Sequence, residues 1–276
     1  MIGHKNINIF ALLVSLLLLT ISSAITQSVN AQSSQLPDSL KGLTPQAIFD
    51  KANLQNEKKH YKSALGLYHA IEHTNTGSGA LFLNMGLTYL NTDSLGKAKY
   101  YFLRASKYPE TRKQAQQGLN YLSNHLSHKS AELPELPWDR ALNWLQNDIG
   151  AHTLLIISLL ILNAGILLIV GVWFIEKYKK TLRYSGIILT LLGILFLLTT
   201  GFVDYHTRRY SKGVMIMKEA NVNEKPNKNA GVVSIAYEGY TFTVDKEKSA
   251  RRDNWYYIRM SNGLYGWIPK KDIKVL

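Results

Sequence analysis

Residues 79–105, GALFLNMGLTYLNTDSLGKAKYYFLRA, decide the fold of the N-terminal half of this chain. They repeat the apolar pattern of the preceding segment at a spacing of 34 residues, in helical sequence with no proline between the two copies. The matched pairs are Ala52 and Gly86, Ala64 and Ala98, and Tyr68 and Phe102. A period of this length indicates stacked helix pairs, because one pair cannot bury its apolar face alone. Such a stack presents a surface that can hold another protein.

Two helix pairs and a capping helix are therefore predicted over residues 45–126. The first pair begins at Pro45, the second ends before Pro109, and the cap follows from Thr111 to Leu126. Small residues at the matched positions let neighbouring helices approach closely, and the aromatic residues fill the space beside them.

The second pair resembles a tetratricopeptide repeat. The residues at the motif's spacing are Gly86, Tyr89, Ala98, Phe102 and Ala105, whereas the first pair departs from the motif at Ala52, Gln55 and Ile71. The resemblance implies an all-α tetratricopeptide solenoid whose inner groove binds a protein segment. It places in that groove Phe49, Asn53, Asn56, Leu83, Leu87, Leu90 and Asn91, each of which can equally pack against a neighbouring helix. The basic residues with which some members bind a carboxylate are not at these positions, so an apolar or amide-rich ligand is expected.

Two long apolar runs follow the helical region and a linker with an interfacial segment, residues 127–152. Residues 153–175 carry no charge and have membrane-spanning length, and residues 186–203 form a second, shorter run. We predict a two-helix transmembrane hairpin. Neither run contains an ionisable residue, so the hairpin is expected to be an anchor and not an ion pathway.

The loop between these runs sets the predicted topology. Residues 176–185, EKYKKTLRYS, carry four basic side chains, so the positive-inside rule places the loop in the cytoplasm. An apolar core from Ile9 to Ile21 and the small-residue site at Ala31 predict a signal peptide over residues 1–31, followed by a linker over 32–44. An uncleaved N-terminal anchor is the alternative. Both terminal regions are then expected on the periplasmic side of the inner membrane.

After Tyr210 the apolar pattern changes from helical to alternating. Five short strands are predicted, at residues 214–217, 231–235, 240–244, 255–259 and 265–268. Asn262-Gly263 is a strong hairpin signal, with both central residues expected at positive φ. Five short strands in so few residues favour a small barrel.

Residues 212–276 resemble a bacterial SH3 domain. The resemblance rests on Val222 with the turn after it, Glu238-Gly239, Trp255-Tyr256, and Gly263 followed by Gly266-Trp267-Ile268. It implies an all-β SH3-like barrel that binds peptides, including cell-wall stem peptides of peptidoglycan, across an aromatic surface. The candidates for that surface are Tyr237, Tyr240, Tyr256 and Tyr265, whereas Trp255 and Trp267 are assigned to the barrel core.

Composition restricts the chemistry. Cysteine is absent, which excludes disulfides, thiolate metal sites and cysteine nucleophiles. The net charge of +13 is spread over segments that a membrane separates, and no basic stripe with interleaved aromatics argues for nucleic acid. His69 with His73 and His125 with His128 have helical spacing, but neither pair has the acidic partners of a known metal motif. We expect no cofactor and no enzymatic activity.

The whole architecture is that of a multidomain membrane protein, and it resembles the BatE type of aerotolerance-operon proteins. That resemblance rests on the order and sizes of the segments and covers the full chain. It implies membrane-bound von Willebrand factor A proteins and a MoxR-type ATPase as partners in a stress-related envelope complex. The expected function is a non-catalytic scaffold or adaptor. The alternative is an envelope sensor that relays ligand binding by the C-terminal domain to the cytoplasmic loop.

Overall fold

The computed structural model describes residues 40, 42–74, 76–128 and 137–276. The predicted signal peptide and most of the linker after it lie outside the described residues. Within them the chain divides into two compact units, one covering residues 137–207 and the other combining residues 40–128 with residues 208–276.

Five helices form the first part of the larger unit. They are α1 (Pro45–Glu57), α2 (Tyr61–His73), α3 (Gly79–Asn91), α4 (Leu95–Ala105) and α5 (Arg112–His125). The first and third helices begin 34 residues apart, as do the second and fourth, so the sequence period is a period of the structure. A Cβ atom on Gly86 would lie 2.6 Å from the ring of Phe102, and one on Gly118 would lie 2.7 Å from the same ring. The small residues therefore let Phe102 pack directly against two helix backbones.

The turns inside the two helix pairs also repeat. Lys59 and Asp93, 34 residues apart, are the non-glycine residues with positive φ in the described chain, at 60° and 53°. In each turn the next amide reaches back five residues, from His60 to the Gln55 carbonyl at 2.9 Å and from Ser94 to the Tyr89 carbonyl at 3.0 Å. This is the bonding of a Schellman helix end, in which the left-handed position usually holds glycine.

Replacing Lys59 with glycine is expected to stabilise the larger unit by about 0.5–1 kcal/mol, because an L-residue pays a steric cost in the left-handed region. Lys58→Gly is the matched control, since Lys58 has φ of −73° and gains nothing from glycine. Chemical unfolding of the purified full chain, followed by circular dichroism, measures both. A Lys59→Gly variant no more stable than Lys58→Gly would contradict this account of the turn.

A partly buried ionic network joins the helices to the C-terminus. The Glu72 carboxylate pairs with Nδ1 of His69 at 2.9 Å, accepts a hydrogen bond from the Tyr101 hydroxyl at 3.0 Å and forms an ion pair with Arg104. Lys274 donates to the same Tyr101 hydroxyl at 3.1 Å. Burial alone would raise the pKa of Glu72, but the His69 hydrogen bond, the Arg104 charge and the Tyr101 hydrogen bond lower it to about 2.

This lowered pKa predicts an acid dependence. The stability that Glu72 contributes is fully present above its usual pKa of 4.5 and is lost as the pH falls toward about 2. The difference in unfolding midpoint between the wild type and Glu72→Gln should therefore be largest above about pH 5 and shrink at lower pH. Glu110→Gln, at an exposed carboxylate, is the control. A difference that stays constant with pH would rule out this role for Glu72.

The C-terminal region is a seven-stranded sheet. Its strands are β1 (Tyr210–Met215), β2 (Glu219–Asn223), β3 (Val232–Tyr237), β4 (Thr241–Asp245), β5 (Trp255–Met260), β6 (Tyr265–Pro269) and β7 (Ile273–Val275). All neighbours pair antiparallel, in the order β3-β2-β6-β5-β4-β1-β7. All five predicted strands are present, and β2, β7 and a short helix α9 (Lys246–Ala250) are additional.

The prediction of a closed barrel is wrong. Closure would require the two end strands, β3 and β7, to pair with each other, but β7 pairs with β1 at the opposite end of the order. The turn between β5 and β6 also differs from the expected hairpin. Gly263 has φ of 87° and Asn262 is not at positive φ, because the loop has three residues closed by Met260 and Leu264.

The sheet packs directly on the helices of its own unit. Val214 of β1 belongs to the helical core, and the C-terminal Leu276 packs against that core. The amide of Gly96, in the first turn of α4, donates to the Glu238 carboxylate at 2.9 Å. Lys99 donates to the Gly239 carbonyl at 2.6 Å. A carboxylate from the sheet thus satisfies an amide that the helix start leaves without an intrahelical partner.

The other unit is helical. It contains α6 (Pro137–Trp144) within the segment predicted as linker, a π-helical turn (Leu145–Ile149), α7 (Ala151–Gly171) and all but the last two residues of α8 (Lys179–Arg209). The helices α7 and α8 are long and apolar enough to cross a membrane. They approach closely at glycines, since a Cβ atom on Gly165 would lie 2.6 Å from the Thr190 amide nitrogen and one on Gly193 would lie 2.7 Å from Leu162.

Candidate functional site

Four aromatic side chains form one face of the C-terminal sheet, opposite its core. Side chains alternate along a strand, and Tyr256 and Ile258 of β5 point into the core. Trp255 and Tyr257 therefore point to the opposite face, where β6 contributes Tyr265 and Trp267. We call Trp255, Tyr257, Tyr265 and Trp267 the aromatic face. The assignment of Trp255 and Trp267 to a barrel core is wrong, because both lie partly exposed on this face.

Three of the four rings of this face contact one another across the two strands. Tyr257 lies directly opposite Trp267, with ring centroids 5.1 Å apart in an edge-to-face arrangement. Tyr257 also stacks with Tyr265 at 6.1 Å, and Tyr265 is 52% exposed. Contacts of this kind hold the rings in place, so the face is largely organised before any ligand arrives.

The close approach of two strands explains why glycine precedes tryptophan in the Gly266-Trp267 dipeptide. A Cβ atom on Gly266 would lie 2.5 Å from Val222 and 2.9 Å from the Asn223 carbonyl oxygen, where β2 crosses close to β6. Only glycine leaves room for this approach on the inner side. The next residue, Trp267, points outward and pairs with Asn223 in the ladder. Gly266 thus allows the close contact between β2 and β6, and Trp267 supplies a ring to the aromatic face.

Basic side chains flank the aromatic face. The Lys248 ammonium lies 4.2 Å from the centre of the Tyr257 ring, and the Arg259 guanidinium lies 5.8 Å from that of Tyr265. Flat rings beside cations suit ligands that combine an apolar or sugar-like surface with negative charge.

The structure does not bring the four predicted tyrosines together. Of Tyr237, Tyr240, Tyr256 and Tyr265, only Tyr265 lies on the aromatic face. Tyr256 packs against the sheet core. The Tyr237 ring stacks on the His128 ring with centroids 3.7 Å apart, and it contacts the Tyr240 ring edge-to-face at 5.7 Å. Both tyrosines lie beside the Glu238-Gly239 turn, which bonds to α4.

The predicted groove residues occupy two kinds of environment. Phe49, Leu83 and Leu90 are partly buried against the helical core. Leu87 is 42% exposed, and Asn91 is exposed.

The two remaining groove residues, Asn53 and Asn56, hold helices together. The Asn53 side-chain oxygen accepts from the Tyr68 hydroxyl at 2.7 Å and from the Asn84 amide at 2.9 Å. The Asn56 oxygen accepts from the Thr88 hydroxyl at 3.0 Å. These amides therefore connect α1 to α2 and α3 and set the shape of the groove.

At least one histidine of each pair is engaged in another contact. His69 bonds Glu72 and lies 2.7 Å from the Tyr89 hydroxyl, and His125 stacks on Tyr121 at 3.8 Å. Among the residues that the structure describes, no group of three or more histidine, aspartate and glutamate side chains is placed to hold a metal ion.

The prediction from sequence did not include Tyr257 among the ligand-binding residues, and it assigned Trp267 to the barrel core. The sequence of β5 contained this information, because side chains alternate along a strand and Ile258 and Met260 belong to the core. Residues of the other parity, Trp255 and Tyr257, then belong to the outer face.

One comparison with known proteins gives a match in the C-terminal sheet. The family model described as the GW (Gly-Tryp) dipeptide domain matches residues 209–274, which include β1 to β6, the first two residues of β7 and Gly266-Trp267. No curated protein and no solved structure matches the chain. The C-terminal sheet is thus a GW domain, a bacterial SH3-like type of domain.

Proposed function

We propose that this protein is a non-catalytic, membrane-anchored adaptor of the cell envelope. Its GW domain binds a cell-wall ligand through the aromatic face, and its helical repeats bind a protein. The observation that carries the proposal is the cluster of contacting rings Tyr257, Tyr265 and Trp267, which lies inside the segment that matches the GW family. GW domains are cell-wall-binding modules, so the face is the place to expect that ligand.

The apolar helices support the anchor. A core helix of a soluble protein is mostly buried, whereas Ile188, Leu191, Leu195 and Leu198 of α8 are each more than half exposed within their unit. Lipid is the medium in which such a surface is stable. The basic residues at 176–185 favour a cytoplasmic turn, with the helical repeats and the GW domain both on the periplasmic side.

Peptidoglycan stem peptides are the wall ligand that we favour. Their peptide bonds and carboxylates suit flat rings flanked by Lys248 and Arg259. For the repeats, exposed Leu87 and Asn91 favour an apolar or amide-rich protein segment. The tetratricopeptide assignment is supported by the 34-residue period of helices and turns.

The specific complex is proposed from resemblance alone. The order of segments is similar to that of BatE-type aerotolerance proteins, which suggests membrane-bound von Willebrand factor A proteins and a MoxR-type ATPase system as partners. The second candidate function is an envelope sensor. The direct packing of the GW domain on α4 favours a sensor, because a change in the sheet on ligand binding can then alter the helical repeats.

Deleting residues 212–276 tests whether the GW domain binds the cell wall and the helical repeats bind the protein partners. The adaptor proposal expects the truncated chain to lose wall binding, and it expects cross-linking in membranes to recover the same protein partners. Because Val214 and Leu276 pack on the helical core, the full chain with Tyr257→Ala is the necessary companion variant. Replacing residues 176–185 with a neutral linker separates the two functions. Lost function with both binding activities intact would favour the sensor over the adaptor.

A further inference from the structure

The turn between the two apolar helices exposes large apolar side chains in direct succession. Helix α7 ends at Gly171 and α8 begins at Lys179. Between them Trp173 is 73% exposed, and Phe174 and Ile175 are exposed as well. A contiguous exposed patch of this kind marks a contact surface, and tryptophan is enriched where a membrane meets water.

A group of basic side chains follows this apolar patch. Lys179, Lys180 and Arg183 lie in the first two turns of α8, and spacings of four and three residues place Arg183 beside both lysines on the helix surface. All three are exposed, and within the described residues no carboxylate forms an ion pair with any of them. Glu176 is the one acidic residue of the segment 176–185, which has a net charge of +3. We call Lys179, Lys180 and Arg183 the basic cluster.

The basic cluster stands where a helix favours negative charge. The start of a helix carries the positive end of its dipole, so carboxylates are stabilising there and cations are not. The first turn of α8 contains no acidic residue. The three cations therefore repel one another and the helix start, and an anion bound among them would relieve both effects.

Contacts within this unit place the basic cluster just beyond the end of the apolar spans. A Cβ atom on Gly186 would lie 3.0 Å from the Gly165 carbonyl oxygen and 3.0 Å from the Ile169 amide nitrogen, so α8 packs on the last turns of α7. The apolar run of α8 begins at Gly186, and Arg183 and Lys180 precede it by a rise of about 4.5 Å and about 9 Å. The headgroup layer on each side of the hydrocarbon core is about 5–8 Å thick. When the two helices cross a bilayer, the cluster is thus expected at the level of the lipid phosphates.

We propose that the basic cluster binds the phosphate groups of anionic phospholipids in the membrane that α7 and α8 cross, with the Trp173 ring in the same headgroup layer. The proposal rests on the proposed membrane anchor and goes beyond it, because apolar helices alone do not distinguish anionic from neutral lipid. The Arg183 guanidinium presents a fork of N–H donors that fits phosphate oxygens, and the two lysines add positive charge. Each basic side chain near an anionic surface contributes about fivefold in affinity at moderate salt.

The test uses the full chain in mixed micelles that contain phosphatidylglycerol or neutral phosphatidylcholine, with bound lipid counted by native mass spectrometry. The wild type is expected to retain phosphatidylglycerol preferentially. Changing all three residues of the basic cluster to glutamine should lower this retention at least tenfold. The charge-preserving variant, Lys179→Arg with Lys180→Arg and Arg183→Lys, should keep it.

The matched control also removes three exposed positive charges. It changes to glutamine Lys225, Lys228 and Lys271, which lie in the GW domain. This variant is expected to retain phosphatidylglycerol as the wild type does. A loss equal to that of the cluster variant would indicate general electrostatics and overturn the proposal.

The remaining outcomes also decide the proposal. Equal retention of the two lipids by the wild type overturns it, and so does equal retention of phosphatidylglycerol by the wild type and the cluster variant. Soluble glycerol phosphate that competes as strongly as the lipid would make free phosphate the ligand instead. Alkaline extraction of cell membranes tests the anchor separately. A chain that stays in the membrane without preferring phosphatidylglycerol overturns this proposal alone, whereas a chain that is extracted overturns the anchor as well.

Discussion

Replacing Gly96 with alanine is expected to separate the GW domain from helix α4. A Cβ atom at this position would overlap the Met215 carbonyl oxygen and lie 2.9 Å from Cα of Ile216. Both are backbone atoms, so no side chain can rotate away. Overpacking usually costs about 1–3 kcal/mol, and we expect the upper end of that range or more here. Hydrogen exchange of the full chain should show lost protection in β1 and in the first turn of α4.

The control for this prediction is Gly66→Ala. Gly66 lies in α2, and a Cβ atom there would meet nothing within 4 Å. Alanine at an exposed helical position is favoured over glycine by about 0.5–1 kcal/mol, so this variant should gain stability. The same chemical change then has opposite signs at the two sites. If Gly96→Ala were as stable and as protected as Gly66→Ala, the helices and the GW domain would not form one packed unit.

Replacing Tyr257 or Trp267 with alanine is expected to weaken binding to peptidoglycan by about 30-fold, the effect of losing a central aromatic anchor of about 2 kcal/mol. The two rings contact each other at 5.1 Å, so the double variant should lose little more than either single one. Co-sedimentation of the full chain with purified cell wall measures the affinity.

Two further variants make this prediction specific. Tyr121→Ala removes an aromatic side chain that is 47% exposed on α5, a helix that supplies no residue to the aromatic face, and should leave wall binding unchanged. Trp267→Phe keeps a ring at the site and should lose much less than the alanine variant. Wall affinity unchanged in both Tyr257→Ala and Trp267→Ala would place the ligand elsewhere.

The helical part was accessible from sequence because its information is local and repeated. Ala52, Gly86 and Phe102 occupy buried positions that only small or aromatic residues fit, so the period of the residues is also the period of the helices. The apolar helices α7 and α8 were likewise recognisable, because length and low polarity, the two properties that make a helix a candidate membrane span, are read directly from the sequence.

The missing parts of the sheet depend on distant partners. Strand β2, with the sequence EANVN, has one large apolar residue and forms because β3 and β6 supply backbone bonds on both sides. Strand β7 has three residues and is defined by its pairing with β1. No local pattern predicts such strands.

The packing of the sheet on the helices could not be predicted either. It depends on Glu238 meeting the Gly96 amide, residues 142 positions apart in the chain. Two of the tyrosines predicted for ligand binding, Tyr237 and Tyr240, lie beside this contact. The sequence of the sheet alone contains no sign of this contact, so it predicts a free surface at Tyr237 and Tyr240 where the structure has a sheet packed on helices.

The central claim is that the aromatic face of the GW domain holds cell wall in the intact envelope. The most direct measurement places a photo-crosslinking amino acid at Tyr265, the most exposed ring of that face, in the full chain in living cells. The adaptor account predicts covalent capture of peptidoglycan fragments at this position and none with the same group at Lys225, an exposed residue of the β2–β3 turn. Capture at Lys225 alone, or equal capture at both positions, would contradict it.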